Sequence, residues 1–258
     1  MSNQFSLPRF GRLFRKHTAE YGKSYLLGVG VLLGLLALLM GLQTLQSKPF
    51  GPGQQAAFLG IFLIMGGAVF TSSIFAGLAE KKQGMAILML PASHLEKYLV
   101  GWLYSFVVFT LVCVGCFYLV AVVIVNADDW HGQPPQLLNL FDPEYNMGAL
   151  VLGYAFIHAI FIWGALFFQK LHLVRTAFAV FVGAGLLLFA NFQVVKLLLG
   201  HVVSEMVLPF SGADLALGKE HYRLYVSPAQ EKLVKLVPVA MTLLLWVAAY
   251  FRVQEKEI

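Results

Sequence analysis

Apolar residues run along this chain in six long blocks, separated by short polar or turn-forming stretches. A helix needs about 20 consecutive apolar residues to cross the hydrocarbon core of a bilayer, and each block is about that long. The blocks predict spans over residues 25–42, 56–78, 99–125, 147–168, 176–199 and 234–251. Ahead of the first span, Phe10, Leu13 and Phe14 alternate with Arg9, Arg12, Arg15, Lys16 and Lys23. That spacing predicts an N-terminal amphipathic interfacial helix over residues 5–23, apolar face down and cations toward lipid phosphates. A plain basic tail is the alternative. The connection over 200–233 is not a simple loop: Val202 to Leu208 form a short apolar run, stopped by Pro209 and Gly212. It is too short to span and reads as an interfacial or re-entrant piece of an interrupted outer segment. Ser227, Pro228 and Gln230 then supply the N-cap, first-turn and N3 signals of the last helix.

Composition strengthens this picture. Of 258 residues, 59% are hydrophobic and only 12% charged, about half the charged share of an ordinary globular domain. A soluble surface cannot be covered with so few charges, and six spans nearly exhaust the chain. The expected fold is therefore an all-α polytopic membrane protein, one transmembrane domain over residues 1–258. The formal charge of +5 does not point to nucleic acid, because the cations flank apolar runs and suit membrane lipid. Twelve of the 18 Lys and Arg fall on one side if both termini are placed inside, and the loop over 126–146 on the other side carries only acidic charge. The positive-inside rule then puts both termini in the cytoplasm.

Candidate chemistry is sparse. The stretch from Gly212 to Lys219 has P-loop spacing, but Glu220 stands where Ser or Thr must hold magnesium. Cys113 and Cys116 have the spacing of a redox pair, yet they sit in mid-span without a second pair and read as small core residues. Asp128, Asp129, His131, Asp142 and Glu144 read as solvated loop charge, with a cation site as the costlier alternative. His158 and Asn191 form a candidate intramembrane polar site, since an ionisable group within a span is a functional hypothesis by default; a neutral, hydrogen-bonded histidine is the plainer reading. Nothing supports an enzyme, a cofactor or a resident metal.

The informative segment is residues 79–97, AEKKQGMAILMLPASHLEK. Met85 to Leu90 are too apolar for a solvated linker, Pro91 breaks the chain direction, and Ser93-His94-Leu95-Glu96 spells a capping box. The product is a rigid corner joined to spans 2 and 3. A well-capped interfacial loop with no partner is the alternative.

With GMAILMLPASHLEKYL in view, the chain resembles the permease subunits of the ABC-2 (type II exporter) transporter family, in particular a bacterial branch with a similar Leu-Pro-Ala-Ser…Glu-Lys segment. The organisation of most of the chain is similar too. The resemblance implies a subunit of an ATP-driven exporter in the bacterial cytoplasmic (inner) membrane, paired with a second permease copy or homologue. It implies a separate ABC-type ATPase that does the hydrolysis, since no nucleotide-binding domain is fused here. It also makes 79–97 the ATPase-coupling segment, through Lys81, Lys82, Met85, Leu88, Leu90, Pro91, Ser93 and Glu96. The competing reading is a non-transporting polytopic scaffold, sensor or assembly factor.

Overall fold

The structure, a computed structural model, describes residues 5–45, 49–79, 91–168, 170–199, 213–217, 220–224 and 228–255. Its helices are α1 (Leu7–Gln43), α2 (Pro52–Ile61), α3 (Gly67–Ala79), α4 (His94–Trp102), α5 (Phe109–Ala127), α6 (Met147–Phe167), α7 (His172–Leu199) and α8 (Pro228–Gln254). Wide π turns at Phe62–Gly66 and Leu103–Val108 join α2 to α3 and α4 to α5 without breaking the spans. Among the described residues, six helical stretches are long and apolar enough to cross a membrane. The protein is an all-α polytopic membrane protein, as the pattern of apolar blocks predicts.

Two regions carry detail that the pattern of apolar blocks leaves open. No break separates the basic N-terminal stretch from span 1: α1 is one helix of 37 residues, and residues 20–26 contain no proline to interrupt it. At 1.5 Å per residue it is about 56 Å long, against a hydrocarbon core of about 30 Å, so its basic first third extends past the core. The second region is the segment before the last span. Ala213–Leu217 (β1) and Glu220–Leu224 (β2) pair antiparallel, with Ala213 opposite Leu224 and Leu217 opposite Glu220. The P-loop look-alike thus contributes a hairpin strand, where a phosphate loop would run from a strand into a helix. The apolar run over 202–208 and the Ser227 cap lie outside the described residues; α8 does start at Pro228, as its first-turn signal predicts.

The two ends of the bundle are built differently. One end gathers the starts of α1, α4 and α7 and the ends of α3, α6 and α8; we call it the terminal face. There Phe75, Tyr98, Ile162, Ala165, Leu166, Ala249 and Val253 form one buried cluster. Helices approach closely at small residues, the usual membrane solution where no hydrophobic force drives them together. A Cβ on Gly164 would collide with Thr176, whose hydroxyl is already committed to the His172 carbonyl at 2.7 Å.

The far face is closed by the 128–146 loop. Gln55, fully buried, donates from Nε2 to the Phe50 and Gln136 carbonyls, each at 2.8 Å, and accepts from the Leu138 amide at 2.8 Å. Asp128 accepts from the Phe50 amide at 2.6 Å, and Asp142 caps the short turn at Pro143–Tyr145. The His131 backbone amide, then its ring, hold the Asp129 carboxyl below the usual carboxylate range. These acids fold the loop. Among the described residues, no group of three or more His, Cys, Asp or Glu is placed to hold a metal ion. Cys113 and Cys116 are buried free thiols in the core, as read from their setting in mid-span.

Candidate functional site

The corner at Pro91 is where local sequence and long-range contact meet. Ser93 has extended backbone angles, φ −67° and ψ 156°, and its hydroxyl accepts from the Glu96 amide at 3.2 Å. Glu96 reaches back, its Oε2 accepting from the Ser93 amide at 2.9 Å. The capping box is complete, so two amides that α4 would leave unpaired are satisfied.

Glu96 does more than cap its own helix. Its other oxygen, Oε1, accepts from the Ser6 amide at 2.7 Å and from Arg9 Nη2 at 3.2 Å. Ser6 is the N-cap residue of α1 and makes no side-chain cap bond; the Glu96 carboxylate, ninety positions away, accepts from its backbone amide as the glutamate of a capping box does. One carboxylate therefore sits at the positive ends of two helices, where an anion is favoured, with a guanidinium beside it. Glu96 has no solvent exposure, and Arg9 keeps 27% of its side chain exposed. The start of α1 and the start of α4 are clamped as one body. Phe14 of α1 stacks on Tyr104 at 4.7 Å, and Thr18 hydrogen-bonds the Tyr104 hydroxyl. Phe14, read from spacing as lipid-facing, thus packs on protein.

A second set of contacts ties this body to the last helix. Tyr98 donates its hydroxyl to the Trp246 carbonyl at 3.0 Å. The Trp246 indole in turn donates to His158 Nδ1 at 3.2 Å. An indole N–H can only donate, so Nδ1 is an acceptor and the proton lies on Nε2, 2.8 Å from Ser105 Oγ. Ser105 Oγ donates its own hydrogen bond to the Gly101 carbonyl at 2.8 Å. His158 is therefore a neutral imidazole with both nitrogens occupied, enclosed by the rings of Trp102, Phe106, Tyr154 and Trp246. Of the two readings of this histidine, the hydrogen-bonded core residue fits the geometry. Asn191 lies half-buried on α7, while the His158 nitrogens are bonded to Trp246 and Ser105.

Among the expected coupling residues, Pro91 is exposed at the corner and Ser93 and Glu96 are buried within it. Lys81, Lys82, Met85, Leu88 and Leu90 lie outside the described residues. Sequence reasoning missed Ser6, Arg9, Tyr98, Ser105 and Trp246. Arg9 in particular reads from its neighbours as one of five lipid-facing cations, and nothing in local spacing marks a partner ninety residues away. Comparison with models of protein families, with curated proteins and with solved structures finds no match for this chain.

Proposed function

We propose that the protein is the permease subunit of an ATP-driven ABC-2 type exporter in the bacterial cytoplasmic membrane, with the terminal face toward the cytoplasm and a separate ATPase docked there. The observation that carries this reading is the clamp at Glu96. A docking segment transmits force only if it is fixed to the helices it must move. Residues 80–90 end at Pro91, two residues before a completed capping box whose glutamate also holds the start of α1. A push delivered to that segment reaches spans 1 and 3 together, and through Tyr98 and Trp246 it reaches the last helix.

The test is purification in mild detergent with its neighbours present. An ATPase is expected to accompany the wild-type chain. Lys81→Glu with Lys82→Glu should weaken that association by reversing charge at the docking segment. Ser93→Ala should weaken it too, because losing an N-cap costs about 0.5–2 kcal/mol, enough to fray one corner and too little to unfold six packed spans. Both variants should express and insert normally. If no ATPase is retained by the wild type under any mild condition, the scaffold reading takes its place.

A further inference from the structure

Among the described residues the buried core falls into two clusters, one in the far half of the bundle and one at the terminal face. The boundary between them crosses spans 2 and 3 at their wide turns. In span 3, Trp102 packs on the terminal cluster and Phe106 on the far one, and Phe106 lies inside the π turn Leu103–Val108. In span 2, Ile64 of the π turn Phe62–Gly66 packs on the far cluster and Ile74 on the terminal one. The two turns stand side by side, since a Cβ on Gly66 would meet the Phe109 ring at 3.2 Å. They also bracket residues 67–102, the stretch that carries the Pro91 corner.

One side chain of α6 touches both turns. In an α-helix the Phe109 amide would bond the Ser105 carbonyl four residues back; here it goes to the Tyr104 and Phe106 carbonyls. The Ser105 carbonyl that this frees accepts from the Tyr154 hydroxyl at 2.7 Å. The Tyr154 ring lies against Gly67, the first residue beyond the other turn. Tyr154 itself belongs to the far cluster, so its hydroxyl ties the far half to the turn on which the terminal half begins.

We propose that the paired π turns are a hinge on which the terminal half of the bundle tilts against the far half, with the Tyr154 hydroxyl as its catch. Sharp kinks in helices concentrate at such turns, and two at one level let adjacent spans bend together. α1 and α6 cross the boundary without a wide turn and take up the tilt as gentle curvature. The Tyr98–Trp246 bond lies inside the terminal half and moves with it. A kink of about 20°, carried over the roughly 18 Å of helix from Ser105 to Ser93, displaces the Pro91 corner by about 6 Å. The hinge holds whatever docks on the terminal face, so it does not rest on the exporter reading.

The experiment measures distances by pulsed electron paramagnetic resonance in the full-length protein in lipid nanodiscs, with Cys113→Ala and Cys116→Ala removing the native thiols. Spin labels at Ala92→Cys and Gln54→Cys, and at Ala92→Cys and Gln133→Cys, span the hinge. Pairs at Ala92→Cys with Lys170→Cys, and at Gln54→Cys with Gln133→Cys, lie within one half each. Tyr154→Phe keeps the ring and loses the catch. It should raise the population of a second distance across the hinge about tenfold over wild type, the factor that one hydrogen bond supports, and leave the within-half distances unchanged. Tyr154→Met serves if Tyr154→Phe does not fold. Tyr98→Phe removes a hydroxyl of the same kind, bonded within the terminal half, and should leave every pair as in the wild type. Unchanged distances across the hinge in Tyr154→Phe, the same shift in Tyr98→Phe, or broadening of the within-half pairs would each overturn the hinge.

Discussion

Glu96→Ala is expected to release the N-terminal third of α1 from α4, with a loss of about 2–5 kcal/mol, because two backbone amides lose their acceptor. The size follows from what the carboxylate holds. It accepts from two backbone amides and a guanidinium with no water to replace it, and a buried donor left unmade costs about 1–3 kcal/mol. Arg9→Ala should cost less, because Arg9 is partly exposed and its loss leaves Glu96 two protein partners, the Ser6 and Ser93 amides. Glu96→Gln should fall between them. Limited trypsin digestion reads the effect directly, as faster cleavage at Arg12, Arg15 and Lys16 in Glu96→Ala membranes. Equal effects of Glu96→Ala and Arg9→Ala, or an unchanged digestion pattern in the former, would remove the clamp from this account.

Gly67→Ala should be nearly as damaging, although it adds one methyl group. A Cβ there would lie 2.2 Å from Tyr154 Cε2 and 2.9 Å from its hydroxyl oxygen. The ring has nowhere to go. Its hydroxyl donates to the Ser105 carbonyl at 2.7 Å, and its face lies on Phe106 at 5.4 Å with the planes 8° apart. Overpacking of this kind costs about 1–3 kcal/mol and sometimes more, and here it separates α3 from α6. Gly28→Ala is the matched control, since its Cβ meets nothing within 4 Å and alanine favours a helix by about 1 kcal/mol over glycine. Thermal unfolding in detergent should rank Gly28→Ala at or above wild type and Gly67→Ala well below. Adding Tyr154→Leu to Gly67→Ala should restore part of the loss.

What was legible in the sequence was what depends on neighbours a few residues apart. The six spans follow from run length, and the capping box from Ser93 and Glu96 three positions apart in one turn. The Pro228 start of α8 is equally local. What stayed hidden depends on contacts across the bundle. Arg9 looks like any basic flank until the start of α4 stands beside it, and Trp246 gives no local sign that its indole fixes the His158 tautomer. Continuity of α1 was hidden for a different reason: a change from amphipathic to wholly apolar pattern suggests two elements, but no backbone group forces a break there. The hairpin over 213–224 was masked by a stretch in which neither alternation nor helical period dominates.

Orientation is the claim on which the functional account rests, because an ATPase can dock only if the terminal face is cytoplasmic. Cysteine accessibility in intact cells measures it. The native thiols at Cys113 and Cys116 are buried, so the wild type should stay silent to a membrane-impermeant reagent. Gln133→Cys, in the far-face loop, should label from outside, and Gln254→Cys, at the end of α8, should label only after the cells are opened. Labelling of Gln254→Cys in intact cells, or protection of Gln133→Cys, would contradict the account.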